Sequence, residues 1–534
     1  MNSDSTNVGG PNPWLVLFSV GLGLFMVVID VSILNIALPQ IADSLDATMA
    51  SIQWTLIGYT LFMTALVPLF GRISDVMGRK RLFITGVSIF ALGSLMAALS
   101  PTIFWLIGAR LVQAVGGALI TTNVLAIITD TFPEGKRGAA MGAQAILISG
   151  GAAIGPTLGG FLVTHFGWEA IFYVNLPVGL VAVGLAAKIL PPLRSHRTLE
   201  PIDWTGAGFL MIGLSSVLLA ITQGSAWGWT SYTIMGLAAA GVVVLLLFVR
   251  WELRVPHPLV DLSLFRIRAF STGQLAGFFG TVSFASMMFT LPFYWQGLRG
   301  LSAQEAGIMM LPLPAALMVA APLSGRLSDG RGSRGIASLG LAVVAIALFL
   351  ISSIDAETEV WSVLVRVGVM GAGLGMFMAP NNNAVMSSVA AHRRGIASGV
   401  LATGRFTGQS VGIAFVGAVL AAVIHADTGL SGDVLPSPDK FQALAGNQAA
   451  LAAFSDTFVH AMRVATLAAI PFAVLGVVFS LTRPGSGGPG KRRLRIPGRR
   501  TAEVEVSAGT EAQEEESQSR DTRGRSLQPQ PDVE

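Results

Sequence analysis

GRISDVMGRKR at residues 71–81 and SGRLSDGRGSR at residues 324–334 share one pattern: glycine, arginine, an aliphatic residue, serine and aspartate, then further glycine and basic residues. Each follows an apolar run long enough to cross a bilayer and precedes another. Two similar loops in similar settings predict two structurally related halves. Within each loop, glycine permits a tight turn, and the aspartate, Asp75 in the first, can bond a helix end or pair with a neighbouring arginine. The loop is therefore a candidate latch between helices; a basic loop with a glycine turn is the simpler reading.

Working outward, the 534 residues are 52% hydrophobic and only 12% charged, with a mean hydropathy of +0.66. Bilayer, not water, is the solvent for most of such a chain. About fourteen apolar runs follow one another with short polar joints between them, and in lipid these must be helices, because each satisfies its own backbone polar groups. The predicted fold class is an all-α polytopic membrane protein: a leader over 1–13, a six-helix bundle over 14–190, a two-helix insertion with its linkers over 191–268, and a second six-helix bundle over 269–481. The leader carries no Lys or Arg and so lacks the basic start of a cleavable signal, and the first run reads as a retained span. From 482 to 534 the chain is Gly/Pro-rich, then basic, then acidic around Glu511–Glu516, a composition that cannot bury a core and predicts a disordered tail.

The joints test the span count. One set carries Arg72, Arg79, Lys80 and Arg81, then Lys136 and Arg137, Arg194 and Arg197, Arg250, Arg254, Arg266 and Arg268, Arg326, Arg331 and Arg334, and Arg393 and Arg394; the alternate joints hold only Arg299 and Lys440. That alternation predicts cytoplasmic termini in a cell membrane. It also accounts, with the tail, for the net charge of +4, so basicity implies no nucleic-acid partner. Cysteine is absent and the six histidines are scattered, which leaves no thiol nucleophile and no metal cluster. No cofactor and no obligate protein partner is evident.

Further motifs sit inside the spans. The first span contains IDVSILNIALP with Asp30, Asn35 and Pro39; the fourth contains RLVQAVGGAL with Arg110, Gln113, Gly116 and Gly117; the fifth contains GGAAIGPTLGG with Gly150, Gly151, Gly155, Pro156, Gly159 and Gly160; and WEAIFYVNLPVG opens the sixth. Small residues let helices approach closely, and Pro156 bends its helix. Together with Gly71, Asp75, Gly78 and Arg79 in the first loop, these stretches resemble the major facilitator superfamily, specifically its fourteen-span drug:proton antiporters, over nearly everything before the tail. Two departures stand out: Ala114 where the family often has glycine, and Glu169 where it usually has arginine. The resemblance implies alternating access between two bundles, a gating role for the 71–81 loop, and an antiporter signature in the fifth span.

Asp30 is the one acidic residue deep in a predicted span, and a carboxylate kept in lipid is costly enough to be functional by default. Asp30 precedes the outer end of its span by eight residues and Arg110 follows the outer start of its own by about eight. At ~1.5 Å per residue both lie roughly 12 Å below the outer surface, so an ion pair is possible. Burial disfavours the charged carboxylate while a guanidinium favours it, so separating the two would switch a proton on and off; a static cross-brace is the alternative. Gln113 lies one turn below Arg110 on the same face, available to a substrate or to Asp30. Arg366, Arg405 and Arg463 also fall inside spans without an identifiable acidic partner. The first two, with Gln113 and Asn35, are candidate substrate contacts; bonding to helix carbonyls or snorkelling is the alternative.

These features predict a proton-coupled exporter of a small organic compound, with drug or antibiotic efflux implied by the family resemblance. An endogenous metabolite is the alternative cargo. A membrane enzyme would need a nucleophile, metal cluster or converging carboxylates, and none converge here.

Overall fold

A computed structural model describes residues 12–191, 201–428 and 448–484. Arg194, Arg197, Lys440, the tail beyond 484 and nearly all of the leader lie outside the described residues. The described residues are all-α, and among them are fourteen helices long and apolar enough to cross a membrane. Their main helices are α1 (Pro13–Ser44), α2 (Met49–Met77), α3 (Arg79–Ala98), α4 (Ile103–Thr131), α5 (Arg137–Phe166), α6 (Asn175–Ile189), which the short helix Ala170–Tyr173 extends to a full span, α7 (Trp204–Trp227), α8 (Tyr232–Glu252), α9 (Arg268–Phe293), α10 (Pro312–Arg331), α11 (Ser333–Ser352), α12 (Val360–Ser387), α13 (Arg394–Thr428) and α14 (Gln448–Thr482).

Local chemistry sets several starts. Asn12, Thr48, Thr102, Asp203 and Ser231 each accept a backbone N–H from the first turn of α1, α2, α4, α7 and α8, satisfying donors that have no partner within the helix. The α2–α3 and α10–α11 joints turn on Gly78 at φ 97° and Gly332 at φ 86°, a left-handed conformation that glycine adopts without steric cost. These glycines occupy matching places in the two repeated loops.

The packing repeats in the same way. Within the first half α3 packs on α4, α2 on α4, α1 on α5, and α6 on α1 and α3; within the second, α11 packs on α12, α10 on α12, α9 on α13, and α14 on α9 and α11. The halves meet through two equivalent seams, α2 against α13 and α5 against α10. The inserted pair, α7 with α8, leans on the first seam through contacts of α7 with α2 and α13. In the most apolar window of α4, 83% of residues are buried, against 17% in α8; α4 is a central helix and α8 a peripheral one. The exposed Met235, Val242, Val243, Leu246 and Leu247 of α8 are the apolar surface that lipid covers.

Candidate functional site

The repeated loops lie at one end of the molecule, where each reaches across a seam to the opposite half. The Asp75 carboxylate accepts the backbone N–H groups of Gly395 at 2.8 Å and Ile396 at 3.0 Å, at the start of α13. The Asp329 carboxylate accepts those of Gly138 at 2.8 Å and Ala139 at 3.0 Å, at the start of α5. A carboxylate there meets free N–H donors and the positive end of the helix dipole together. Close approach is required for this. A Cβ on Gly71 would meet the Gly395 backbone and one on Gly395 the Gly71 carbonyl, while Gly138 and Gly325 stand in the same mutual relation. One turn deeper, Gly399 lies against Val67 and Pro68, and Gly142 against Ala321 and Pro322. With both loops engaged, the two halves are shut at this end.

The first latch carries an ionic chain that the second lacks. Arg79 bonds Asp75 at 3.1 Å and pairs with Asp130 at the end of α4, and Asp130 in turn pairs with Arg394 at 2.7 Å. Arg79 also donates to the Ala391 carbonyl at 2.8 Å. Lys80 donates to Ala187 and Leu190 carbonyls at the end of α6, favourable at a helix C-terminus. On the other seam Asp329 accepts Asn383 Nδ2 at 3.2 Å, and no cation is paired with it among the described residues.

Deep in the first half, Asp30 of α1 and Arg110 of α4 form an ion pair at 2.5 Å, with side chains 1% and 0% exposed. Asp30 Oδ1 also accepts Gln113 Nε2 at 3.1 Å and Asn175 Nδ2 at 3.0 Å. Arg110 donates to Gln113 Oε1 at 2.7 Å and to the Thr55 carbonyl at 3.4 Å. Ser94 of α3 accepts from both amides, and the guanidinium carbon stands 4.2 Å from the Tyr59 ring centroid. Five helices thus converge on one charge pair, and nearly every polar atom is engaged, the condition under which a buried pair is tolerated. Arg110 NH2 and the Tyr59 hydroxyl have no hydrogen-bond partner among the described residues.

The other predicted residues fall elsewhere. Gln113 is inside the network, bonded on both ends of its amide. Asn35 is exposed and donates to Val31 of its own helix at 3.0 Å. Arg366 donates to the Leu350 carbonyl at 2.8 Å and to Ser353 at 3.2 Å, closing the C-terminal end of α11, and Arg463 donates to the Ser352 carbonyl at 3.2 Å. Arg405 stands apart from these, in the middle of α13. In the fifth-span motif Gly151, Gly155 and Gly159 pack on Phe25, Val28, Ser32 and Ile33 of α1, whereas Gly150 and Gly160 face open space. That glycine row carries α1 on the face opposite Asp30, which leaves Asp30 turned towards α3, α4 and α6. Pro156 is inside α5.

Three participants escape sequence reading. Asn175 lies within WEAIFYVNLPVG, where a polar residue among apolar ones was the available signal. Ser94 and Asp130 carry no such mark. At the latch end, Arg483, just past α14, is buried and bonds Asn381; burial pushes its guanidinium down to about 10. Asn381 also donates to the Gly273 carbonyl of α9 at 3.2 Å and so faces the interior of the second bundle.

Residues 20–413 match the family model described as the Major Facilitator Superfamily. The chain is 32% identical over 408 residues to the riboflavin transporter RibZ of Clostridioides difficile (strain 630), covering 76% of this chain and 88% of that one. It is 32% identical over 429 residues to the tetracenomycin C resistance and export protein of Streptomyces glaucescens, covering 79% and 78%. It is 33% identical over 415 residues to the multidrug resistance protein Stp of Mycobacterium tuberculosis (strain CDC 1551 / Oshkosh), covering 77% and 76%. Among solved structures, the human organic anion transporter MFSD10 (TETRAN) superposes with a TM-score of 0.61 at 14% identity, covering 88% of this chain and 100% of that one, a likeness of fold. Sequence match, fourteen spans, repeated latches and two packed halves lead to one assignment: this chain belongs to the major facilitator superfamily and is a multi-pass membrane transporter.

Proposed function

We propose that this transporter is a proton-coupled antiporter that exports a small organic compound of drug or antibiotic type across the cytoplasmic membrane and thereby confers resistance, with the latch end facing the cytoplasm. The observation that carries the reading is the buried Asp30–Arg110 pair with its Gln113 and Asn175 donors. Protonating Asp30 removes the charge that balances Arg110 and turns an acceptor oxygen into a donor, so the network must rearrange when a proton arrives. A proton is taken up only as helices α1, α4 and α6 shift and the pair parts, which ties protonation to conformation. The relatives named for tetracenomycin and multidrug resistance support the cargo class, and the basic joints support the orientation.

Alternating access supplies the rest of the cycle. With both latches engaged the binding region opens away from the cytoplasm; releasing them exposes it to the cytoplasm for loading. In inside-out vesicles energised by a pH gradient alone, the wild type should concentrate its substrate, and Asp30→Asn should abolish this while leaving expression and substrate binding in place. Arg110→Ala should impair coupling too. Undiminished accumulation by Asp30→Asn vesicles overturns the coupling role. The relative named a riboflavin transporter favours a second reading, an exporter of an endogenous aromatic metabolite, which a drug-susceptibility panel in an exporter-deficient host separates from the first.

A further inference from the structure

Arg405 is the unusual charge of this molecule. The other arginines deep within spans are engaged: Arg110 with Asp30, Arg366 with the Leu350 carbonyl, Arg463 with the Ser352 carbonyl. Arg405 has neither an ion pair nor a hydrogen bond among the described residues. Its one neighbour of note is the adjacent Phe406 ring, 5.3 Å from the guanidinium carbon. It lies eleven residues into α13, about 16 Å along the axis at ~1.5 Å per residue, close to mid-bilayer. An uncompensated cation held there is costly.

The contacts of α13 fix where Arg405 points. Gly408 and Gly412 lie against Phe278 and Val282 of α9, and Gly404 against Gln274. Gly395 and Gly399 lie against α2, on a face about half a turn away. On one of the two remaining sectors, Val411, Ala414 and Ala418 border a crevice with Ile221 of α7 and Trp229, outside the bundle. The other sector, between the α9 and α2 faces, looks inward between the halves. At 100° per residue it carries Ser398, Arg405 and Gln409. Gln409 is exposed although it lies deep in the span, so this sector borders open space, and the Ser398 hydroxyl is buried without a partner.

The opposite half provides the complement. Gly151 and Gly155 of α5 pack on α1 as Gly408 and Gly412 of α13 pack on α9, so Ile148 and Ala152 hold the places that Arg405 and Gln409 hold across the molecule. One wall of the interior is apolar there, and the other presents a single cation with an amide one turn on.

We infer that Arg405, with Gln409, is the seat for the acidic group of the cargo: the transported compound is an organic anion, a carboxylate, phenolate or sulfonate on an apolar frame. This rests on the exporter reading and narrows its substrate. The guanidinium gives a planar fork of donors that matches an oxyanion, and in a water-poor interior such a charge-assisted pair is stronger than a neutral one. The apolar frame of the cargo then lies against the α5 wall.

Two xanthene dyes of similar shape and opposite charge, fluorescein and rhodamine 6G, provide the test in energised inside-out vesicles, together with every compound to which the protein raises tolerance in the susceptibility panel. For fluorescein, and for panel compounds that are acids, Arg405→Gln should raise KM by about tenfold or more, Arg405→Lys should recover part of the loss, and neutral or cationic compounds should be unaffected. Retained transport of any such compound by Arg405→Gln shows that the variant is folded; if none is carried, Arg405→Lys and elution of purified Arg405→Gln as the wild-type species serve instead. The inference is overturned if Arg405→Gln moves the acids with the wild-type KM, or if the wild type moves only neutral and cationic compounds; the exporter reading survives either result. If the wild type accumulates none of these compounds under a pH gradient, the exporter reading itself falls, and this inference with it.

Discussion

The two latches are one device built twice with different materials. Asp75 and Asp329 each hold two backbone N–H groups at the start of a helix in the opposite half, at the same distances of 2.8 and 3.0 Å. Each is brought there by glycines whose backbones touch across the seam. Beyond that common frame they diverge. Asp75 continues into a chain through Arg79, Asp130 and Arg394, whereas Asp329 has one amide, Asn383. At the place of Arg79 the second half has Ser333, and at the place of Asp130 it has Ser387. The pseudo-symmetric frame therefore sets that both seams close together, and the ionic chain sets which of them holds harder.

The largest expected effect is at the ionic latch. Asp75→Asn removes a charge at a helix N-terminus and leaves Arg79 and Arg394 sharing the single counter-charge of Asp130, an uneven buried cluster. A cost of about 2–3 kcal/mol to the closed state corresponds to a shift of roughly 30- to 150-fold in the closed-to-open ratio. Because the chain has no cysteine, Ser398→Cys gives a single reporter: it is buried now and becomes open to maleimide from the latch side once the seam parts. Labelling should rise accordingly, turnover should fall, and substrate affinity should change little, since the latch controls exchange between states. Substrate affinity lost in step with turnover breaks the comparison at its root, for Asp75 would then belong to the binding site.

The glycine contacts should behave alike in both seams. Gly395→Ala and Gly138→Ala each place a methyl group against a backbone carbonyl of the opposite half, an overpacking of about 1–2 kcal/mol, or roughly 5- to 30-fold in labelling of the same reporter. A large effect in one seam and none in the other would show that the halves close independently.

How much of this was readable in advance follows from what a sequence records. The repeated loop was legible because its glycines, arginine and aspartate recur with fixed spacing, and the apolar runs set a span count that the alternating basic joints tested. The partners of the two aspartates were not. Gly395, Ile396, Gly138 and Ala139 contribute backbone N–H groups alone, and any residue carries those. Asp30 and Arg110 were legible as charges at equal depth, whereas Asn175 and Ser94 are neutral residues that spacing does not separate from packing. Arg366 and Arg405 looked alike as arginines within spans. The carbonyl that engages Arg366 has no sequence signature, so only packing distinguishes it from Arg405.

Asp329→Asn should act in the same direction as Asp75→Asn and less strongly. It removes a charge from the α5 N-terminus but leaves no cation without its counter-charge, since Arg137 keeps Glu134 at 3.4 Å and the Thr129 and Phe132 carbonyls. About 1–1.5 kcal/mol is at stake, on the order of tenfold in Ser398→Cys labelling. An effect equal to that of Asp75→Asn would mean that the ionic chain adds nothing to the shared frame.

The smallest effect, and the sharpest discriminator, comes from rebuilding the missing chain. Ser387→Asp sets a carboxylate within reach of Arg137, which already approaches the Ser387 hydroxyl at 3.5 Å. Ser387 is exposed, so the new pair is worth about 0.2–1 kcal/mol and is screened by salt. It also brings a second acid towards Asp329 with no guanidinium between them, because Ser333 stands where Arg79 separates Asp75 from Asp130. The two contributions oppose each other, and the single variant should close the seam by no more than about twofold. Adding Ser333→Arg supplies the bridging cation, so the double variant should close it by a further few-fold, with a gain that fades at high salt. If Ser387→Asp alone closes the seam as well as the double variant, the bridging arginine is dispensable, and the greater strength of the first latch must come from the Asp130–Arg394 pair rather than from the chain as a whole.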